Sequence, residues 1–224
     1  MSARAGETPH PPATAEFGHV KPGGPTHAYE VAGGVAVKKL SVGPFDNNVY
    51  VVRDAASNDA LIVDGAADAE RILREVEDLR VLGIVETHGH PDHVQALPDL
   101  VAALKVPVYA HAGDAARMPV ETQALRDGQT IVVGGAEIGV MHTPGHTPGS
   151  ISLIAGPFLF SGDTLFPAGP GGTDGNAARF TQLMQSLDRL FELPDETRIC
   201  PGHGLDSTIG RERPYLETWR ARGW

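Results

Sequence analysis

The sequence has little cysteine: Cys200 stands alone among 224 residues. No intramolecular disulfide can form, which suits a reducing compartment. Long hydrophobic runs are also missing, and no apolar stretch approaches the roughly 18 residues that a membrane span requires. The opening segment Met1-Ser2-Ala3-Arg4-Ala5-Gly6-Glu7 lacks the apolar core of a signal peptide. A cytoplasmic location without a membrane partner is the default expectation. Basic charge is short as well. The chain carries 18 Lys and Arg against 28 Asp and Glu, a formal net charge of -10, with no basic patch or run to offset it. That balance argues against a nucleic-acid partner. No repeat of about 20 to 50 residues points to a solenoid.

What remains is the composition of an ordinary globular protein, 41% apolar and 21% charged. The length suits one sizeable core. Residues 1–28, rich in Pro, Gly, Thr and His, read as an extended or disordered arm. Residues 29–224 read as a single catalytic domain. His10, His19 and His27, on the arm, read as solvated loop histidines.

The densest chemistry lies at Thr87-His88-Gly89-His90-Pro91-Asp92-His93. Packing gains little from so many imidazoles on one short turn. Neutral imidazole and carboxylate are, however, the ligands of borderline-hard divalent metals, so the segment reads as a metal site. Val81 to Val85 before it reads as a short buried strand, and Val94 to Leu104 after it has helical spacing. The cluster is therefore expected on a strand-to-helix loop.

Three strands are expected at Val35–Val42, Val49–Val52 and Ala60–Val63, forming an antiparallel meander. Asp64-Gly65 ends the third. Asp68 to Arg80 has an apolar face at Ala69, Ile72, Leu73, Val76 and Leu79, which predicts a helix. Strands follow at Val106–Ala110, Thr130–Val133, Glu137–Met141, Ile151–Ile154, Phe158–Phe160 and Arg198–Cys200. Helices are expected at Ala177–Phe191 and Arg211–Ala221. The order suggests two halves, each of strands followed by helices. Two sheets packed face to face, with helices on both outer faces, would bury these elements in four layers.

Three further polar residues, His146, Asp163 and His203, each stand beside glycine at the end of an expected strand. Strand ends from one edge of a sandwich converge, and glycine permits close backbone approach. With the first cluster they make a candidate metal-ligand set: His88, His90, Asp92, His93, His146, Asp163 and His203. That is too many for one ion and enough for two sharing a bridging carboxylate. Asp64 reads as a brace for the metal loop rather than a ligand, and Cys200 as a buried strand residue. His111 and His142 read as structural histidines. Thr87 and Thr147 flank ligands and are candidates for hydrogen bonds that support them.

The pattern His88-x-His90-x-Asp92-His93, then His146, Asp163 and His203, resembles the ligand set of the metallo-β-lactamase-fold hydrolases. Asp64-Gly65 is similar to a structural motif of that superfamily. The segments Thr143-Pro144-Gly145-His146-Thr147-Pro148-Gly149-Ser150 and Ser161-Gly162-Asp163-Thr164-Leu165-Phe166 look most like the glyoxalase II (hydroxyacylglutathione hydrolase) branch. The resemblance covers about residues 35 to 210. It implies an α+β fold, a four-layer αββα sandwich of two mixed β-sheets flanked by helices. It implies two divalent metal ions, with zinc expected and iron or a mixed zinc–iron pair as alternatives. His88, His90 and His146 would hold the first. Asp92, His93 and His203 would hold the second, Asp163 would bridge both, and Asp92 would also take the catalytic role. The implied reaction is thioester hydrolysis by a metal-bridging hydroxide.

The chain also departs from glyoxalase II. It runs only to Trp224 after His203, so the helical extension that binds glutathione in that branch is not expected. The segment Ala168-Gly169-Pro170-Gly171-Gly172-Thr173-Asp174 differs from the corresponding loop and is expected to line the substrate pocket. The expected partner is a small-molecule thioester or ester, and a homodimer is compatible with the C-terminal aromatics Tyr215, Trp219 and Trp224. One alternative is a mononuclear iron persulfide dioxygenase using His88, His146 and Asp163. The Arg-Thr-Asp-Phe segment of that branch is only partly matched, at Gly172-Thr173-Asp174-Gly175. A lactonase or β-lactamase is the other alternative, since the same hydroxide chemistry serves it.

Overall fold

The computed structural model describes residues 17–223. His10 lies outside the described residues. The first sheet contains β1 (His27–Ala28), β2 (Val35–Val42), β3 (Asn47–Asp54), β4 (Asp59–Val63), β5 (Arg80–Val85), β6 (Val108–His111) and β7 (Gln123–Leu125), in that order. Its first four strands pair antiparallel and the rest parallel. The second sheet uses β8 (Thr130–Val133), β9 (Ala136–His142), β10 (Ile151–Ala155) and β11 (Phe158–Gly162). A small hairpin, β12 (Leu165–Phe166) with β13 (Gly169–Pro170), then precedes β14 (Arg198–Pro201) and β15 (Ser207–Thr208). The second sheet runs β15-β14-β11-β10-β9-β8, with β11 and β14 parallel. Both sheets are mixed.

The sequence alternation shows why the sheets stack. In β3 and β4, Tyr50, Val52, Leu61 and Val63 join the core shared with Ile138, Val140, Leu153 and Phe160 of the second sheet. Their neighbours Val49, Val51, Ala60 and Ile62 face the opposite way, onto Ile72 of α1 (Ala69–Glu75) and Leu97 and Leu100. Such strands are buried on both faces and read as near-continuous apolar runs. The short α2 (Pro91–Val94) is followed by α3 (Leu97–Leu104), which carries Leu97 and Leu100. On the far side, Leu183, Met184, Leu187 and Leu190 of α4 (Ala177–Leu190) cover Leu159 and Ile199. The chain ends in α5 (Ile209–Glu212) and α6 (Leu216–Arg222). Three apolar layers between four structural layers give the αββα sandwich.

Three expected helices are bounded differently, and several strands gain or lose a residue or two at their ends. The helix expected to reach Arg80 stops at Glu75, because Arg80 opens β5. There Arg80 pairs with Asp59 in the parallel ladder, and its Nε donates to Asp59 Oδ1 at 2.5 Å. The helix expected from Val94 breaks at Gln95–Ala96, where the Ala96 amide donates to Gly65 O at 2.9 Å. The C-terminal helix is interrupted by a 3-10 turn at Arg213–Tyr215 containing Pro214, which lacks the amide that a continuous helix needs. On the arm, residues 17–28 lie against the first sheet: Val20 is buried, and His27 and Ala28 pair with Lys39 and Lys38.

Candidate metal centre

β9, β11 and β14 run in one direction, since β10 is antiparallel to both β9 and β11 and β14 is parallel to β11. Their C-terminal ends therefore share one edge of the second sheet. His146, Asp163 and His203 leave from that edge, and His88 to His93 leave from the end of β5. The two sheets are stitched there. Ile151 donates its amide to Thr87 O at 2.8 Å, and Asn48 donates to Gly202 O at 2.7 Å.

All seven candidate ligands meet. They form three overlapping groups able to hold an ion: His88, His90 and His146; His88, His93 and Asp163; and Asp92, His93 and His203. His90 Nδ1 lies 3.2 Å from His88 Nε2 and 2.9 Å from His146 Nε2. His93 Nε2 lies 3.0 Å from His203 Nε2. Asp92 Oδ2 is 3.3 Å from His203 Nε2. Asp163 stands between the sets: its Oδ2 is 3.5 Å from His146 Nε2 and from His203 Nε2, and its Oδ1 is 3.5 Å from His93 Nε2.

The outward nitrogens explain why the inward ones converge. His146 Nδ1 bonds Gly172 O at 2.8 Å, and His203 Nδ1 bonds Phe45 O at 2.8 Å. His93 Nδ1 bonds Asp64 Oδ2 at 3.0 Å, and His88 Nδ1 bonds Thr87 Oγ1 at 3.2 Å. A neutral imidazole that donates outward through Nδ1 presents a lone pair inward through Nε2. Lone pairs about 3 Å apart repel unless a cation lies between them. Asp163 Oδ1 is buried with no hydrogen-bond partner among the described residues. An orphaned carboxylate oxygen facing converging imidazole nitrogens fits a metal ion held among them.

The electrostatics favour a neutral His88 and an ionised Asp163. Burial lowers the tendency of His88 to protonate, and the charge of His93 adds to this. At Asp163 burial opposes ionisation, but the charge of His93 and the nearness of His203 outweigh it and hold the carboxyl well below its usual range. Burial also works against charge on His93, but the carboxylates of Asp163 and Asp64 outweigh it and favour a proton there, which an ion would have to displace.

Asp64 lies outside the three groups. It has φ 63, a left-handed conformation that aspartate tolerates better than most residues. From there its Oδ1 accepts the Thr87 amide at 2.7 Å and its Oδ2 accepts Thr87 Oγ1 at 2.9 Å, besides orienting His93. Glu86 Oε1 accepts the Gly65 amide at 2.8 Å. Burial, with the charge of Asp64 adding, raises Glu86 well above the usual carboxyl range. Gly202 is needed as glycine, since a Cβ there would collide with Asp163 Oδ1.

His111 and His142 stack with ring centroids 3.9 Å apart, outside the three groups. His142 Nε2 lies 3.0 Å from Pro148 O and so steadies the loop that carries His146. Cys200 is buried in the shared core. His19 Nε2 pairs with Asp46 Oδ2 at 2.8 Å. The loop after Ala168 backs the site through Gly172 O. Phe166 lies beside His203, with ring centroids 6.3 Å apart.

Sequence reasoning missed Asp114, which is fully buried. Its Oδ2 accepts the Gly89 amide at 2.8 Å and Thr147 Oγ1 at 2.6 Å, and its Oδ1 accepts the Gly149 amide at 3.0 Å. It ties the loop of His88 and His90 to the loop of His146. Asn47 was also missed, and its Nδ2 donates to Asp92 Oδ2 at 3.0 Å. Nothing in the local sequence separates either residue from an ordinary turn residue.

The model of the metallo-beta-lactamase superfamily matches residues 42–203, and the chain belongs to that superfamily. Among its relatives is a hydroxyacylglutathione hydrolase of Fuscovulum blasticum, 39% identical over 170 residues that span 73% of this chain and 65% of that one. The chain thus matches just under two thirds of that hydrolase's length. The crystal structure of ETHE1 from Myxococcus xanthus is similar with a TM-score of 0.73 and 31% identity, over 80% of this chain and 82% of that one. TTHA1623, in a di-iron-bound form, is similar with a TM-score of 0.69 and 34% identity, over 78% and 96% of the two chains. Among the described residues no helix is long and apolar enough to cross a membrane.

Proposed function

We propose that the protein is a dinuclear metal-dependent hydrolase that cleaves a thioester. The observation that carries this is the position of Asp163 between two sets of ligands, each with its own histidines. His88, His90 and His146 would hold one ion, Asp92, His93 and His203 the other, and Asp163 both. Zinc, iron or a mixed pair suits a set of imidazoles and carboxylates without thiolate. Bound there, such a pair supplies a water acidified to near neutral pH and a Lewis acid for the carbonyl.

The chain's own residues do the rest. Asp64, Thr87, Gly172 O and Phe45 O fix the rings of the ligands so that the cavity is preorganised. Asp92 is partly exposed, and with its Oδ2 turned to Asn47 and His203, its Oδ1 can accept a proton from the attacking water and return it to the departing thiol. The carbon–sulfur bond breaks, and the products are a carboxylic acid and a thiol. Similarity to a hydroxyacylglutathione hydrolase supports this substrate class.

A panel of thioesters tests the reading. Metal-loaded protein is expected to release thiol, and Asp163→Ala is expected to lose one ion and most of the rate. Full activity in that variant, or no turnover of any thioester by the unmodified protein, would contradict it.

A mononuclear iron persulfide dioxygenase is the second reading. It is favoured by His88, His146 and Asp163, two imidazoles and a carboxylate that would suit a non-haem iron. Against it, Asp92, His93 and His203 make a further complete set. Oxygen uptake with glutathione persulfide discriminates the two.

A further inference from the structure

Two arginines stand beside the histidines, and they are differently committed. Arg179 is consumed by the protein itself. Its Nε donates to Gly145 O at 3.0 Å, its Nη2 to His146 O, and its Nη1 to Asp174 Oδ2 at 2.9 Å. Arg117 ends the 3-10 turn that follows β6. It packs through its stem: a Cβ built on Gly89, the residue between His88 and His90, would lie 2.6 Å from Arg117 Cβ and 3.1 Å from its Cδ. The head stays outside, with the side chain 45% exposed.

That guanidinium has little to hold. Its carboxylate neighbour, Asp114 Oδ1, is 3.9 Å from Arg117 Nε, beyond hydrogen-bond reach. Asp114 already accepts from Gly89, Thr147 and Gly149. Among the described residues no hydrogen bond engages the Arg117 head.

A planar fork of unspent donors matches a carboxylate or a phosphate in two parallel hydrogen bonds. Elsewhere on the rim, Asp92 and Asp174 repel anions and Arg179 is spent. In a protein of net charge -10 an uncommitted arginine against the metal loop is a local, directed attraction. A substrate whose acyl carbon sits over the candidate ligands must carry its thiol group away past one flank of the site, and Arg117, packed against Gly89 between His88 and His90, stands on one such flank.

We propose that Arg117 binds an anionic group, a carboxylate or a phosphate, on the thiol carrier of the substrate, and so selects anion-bearing thioesters over neutral ones. The proposal rests on the thioesterase reading for the reacting centre, but the anion site can be measured without turnover.

The test is calorimetric titration of the metal-loaded protein with glutathione, coenzyme A and N-acetylcysteamine, three thiols that differ in charge. At least one anionic thiol is expected to bind about tenfold tighter than N-acetylcysteamine or better, in line with charge-assisted bidentate pairing. Arg117→Ala should remove most of that difference while N-acetylcysteamine binding changes little, and Arg117→Lys should keep part of it. A drop with glutathione marks a carboxylate, and a drop with coenzyme A a phosphate. Equal affinities for all three thiols in the unmodified protein would overturn the proposal. So would an equal loss for all three in Arg117→Ala, or a fall in its metal content, which would mark a prop for the metal loop. Hydrolysis of the three S-acetyl thioesters is scored separately. No turnover by the unmodified protein would overturn the thioesterase reading and leave a measured anion preference standing.

Discussion

Asp114 joins two ligand-bearing loops through three accepted hydrogen bonds, and none of its surface reaches solvent. Removing the carboxylate strands the amides of Gly89 and Gly149, and each buried donor left unpaired costs about 1–3 kcal/mol. Asp114→Ala is therefore expected to lower metal affinity about 10- to 100-fold, the usual toll for losing a residue that supports ligands. Competition with a chelator checks this, with Asp114→Asn, which keeps one acceptor, falling between. At this scale the candidate ligands that converge could be picked from the sequence, because metal chemistry confines itself to a few residue types crowded or set beside glycine. Asp114 and Asn47 were not. A carboxylate that accepts backbone amides from loops 25 and 35 residues away leaves no local pattern.

Element boundaries depend on partners more than on period. The apolar face of α1 continues past Glu75 to Val76 and Leu79, yet the ladder with β4 claims Arg80. The short β7 and β15 carry too few residues to show alternation and exist because an edge was there to pair with. α4 was legible to within a residue, ending at Leu190 rather than Phe191, since its stripe at Leu183, Met184, Leu187 and Leu190 is long and regular. Its N-cap is Asn176, whose side chain accepts the amides of Ala178 and Arg179 at 3.0 Å. Asn176→Ala is expected to cost about 1 kcal/mol of stability, measured by urea unfolding. Because α4 carries Arg179, which holds the carbonyls of Gly145 and His146, the same variant should loosen the first ion's site more than the second.

At the scale of the molecule, the sandwich depends on a charge cluster at the joint between arm, sheet and His203 loop. Lys39 and Asp206 pair at 2.8 Å with both side chains fully buried. Lys39 Nζ also donates to Gly18 O at 2.8 Å and to Gly204 O at 2.6 Å, next to His203. Tyr29 and Arg198 complete the shell of Asp206. Taking one partner from a buried pair leaves the other uncompensated, at about 3–5 kcal/mol. Lys39→Met should destabilise by that order in thermal or urea unfolding, and should release the second ion more readily than the first. The four-layer plan itself was legible, because strands apolar on both faces need cover on both sides. Where the arm would go was not: Gly18 and Val20 find their places only through partners distant in sequence.

The most direct measurement is the number of metal ions per chain, by elemental analysis of protein purified without added metal and again after reconstitution with zinc or iron. Two interlocked ligand sets sharing Asp163 predict close to two ions per chain, falling to about one in Asp163→Ala. A reconstituted protein that saturates at one ion, with Asp92→Ala and His203→Ala binding it unchanged, would contradict the dinuclear centre and turn the reading toward mononuclear iron.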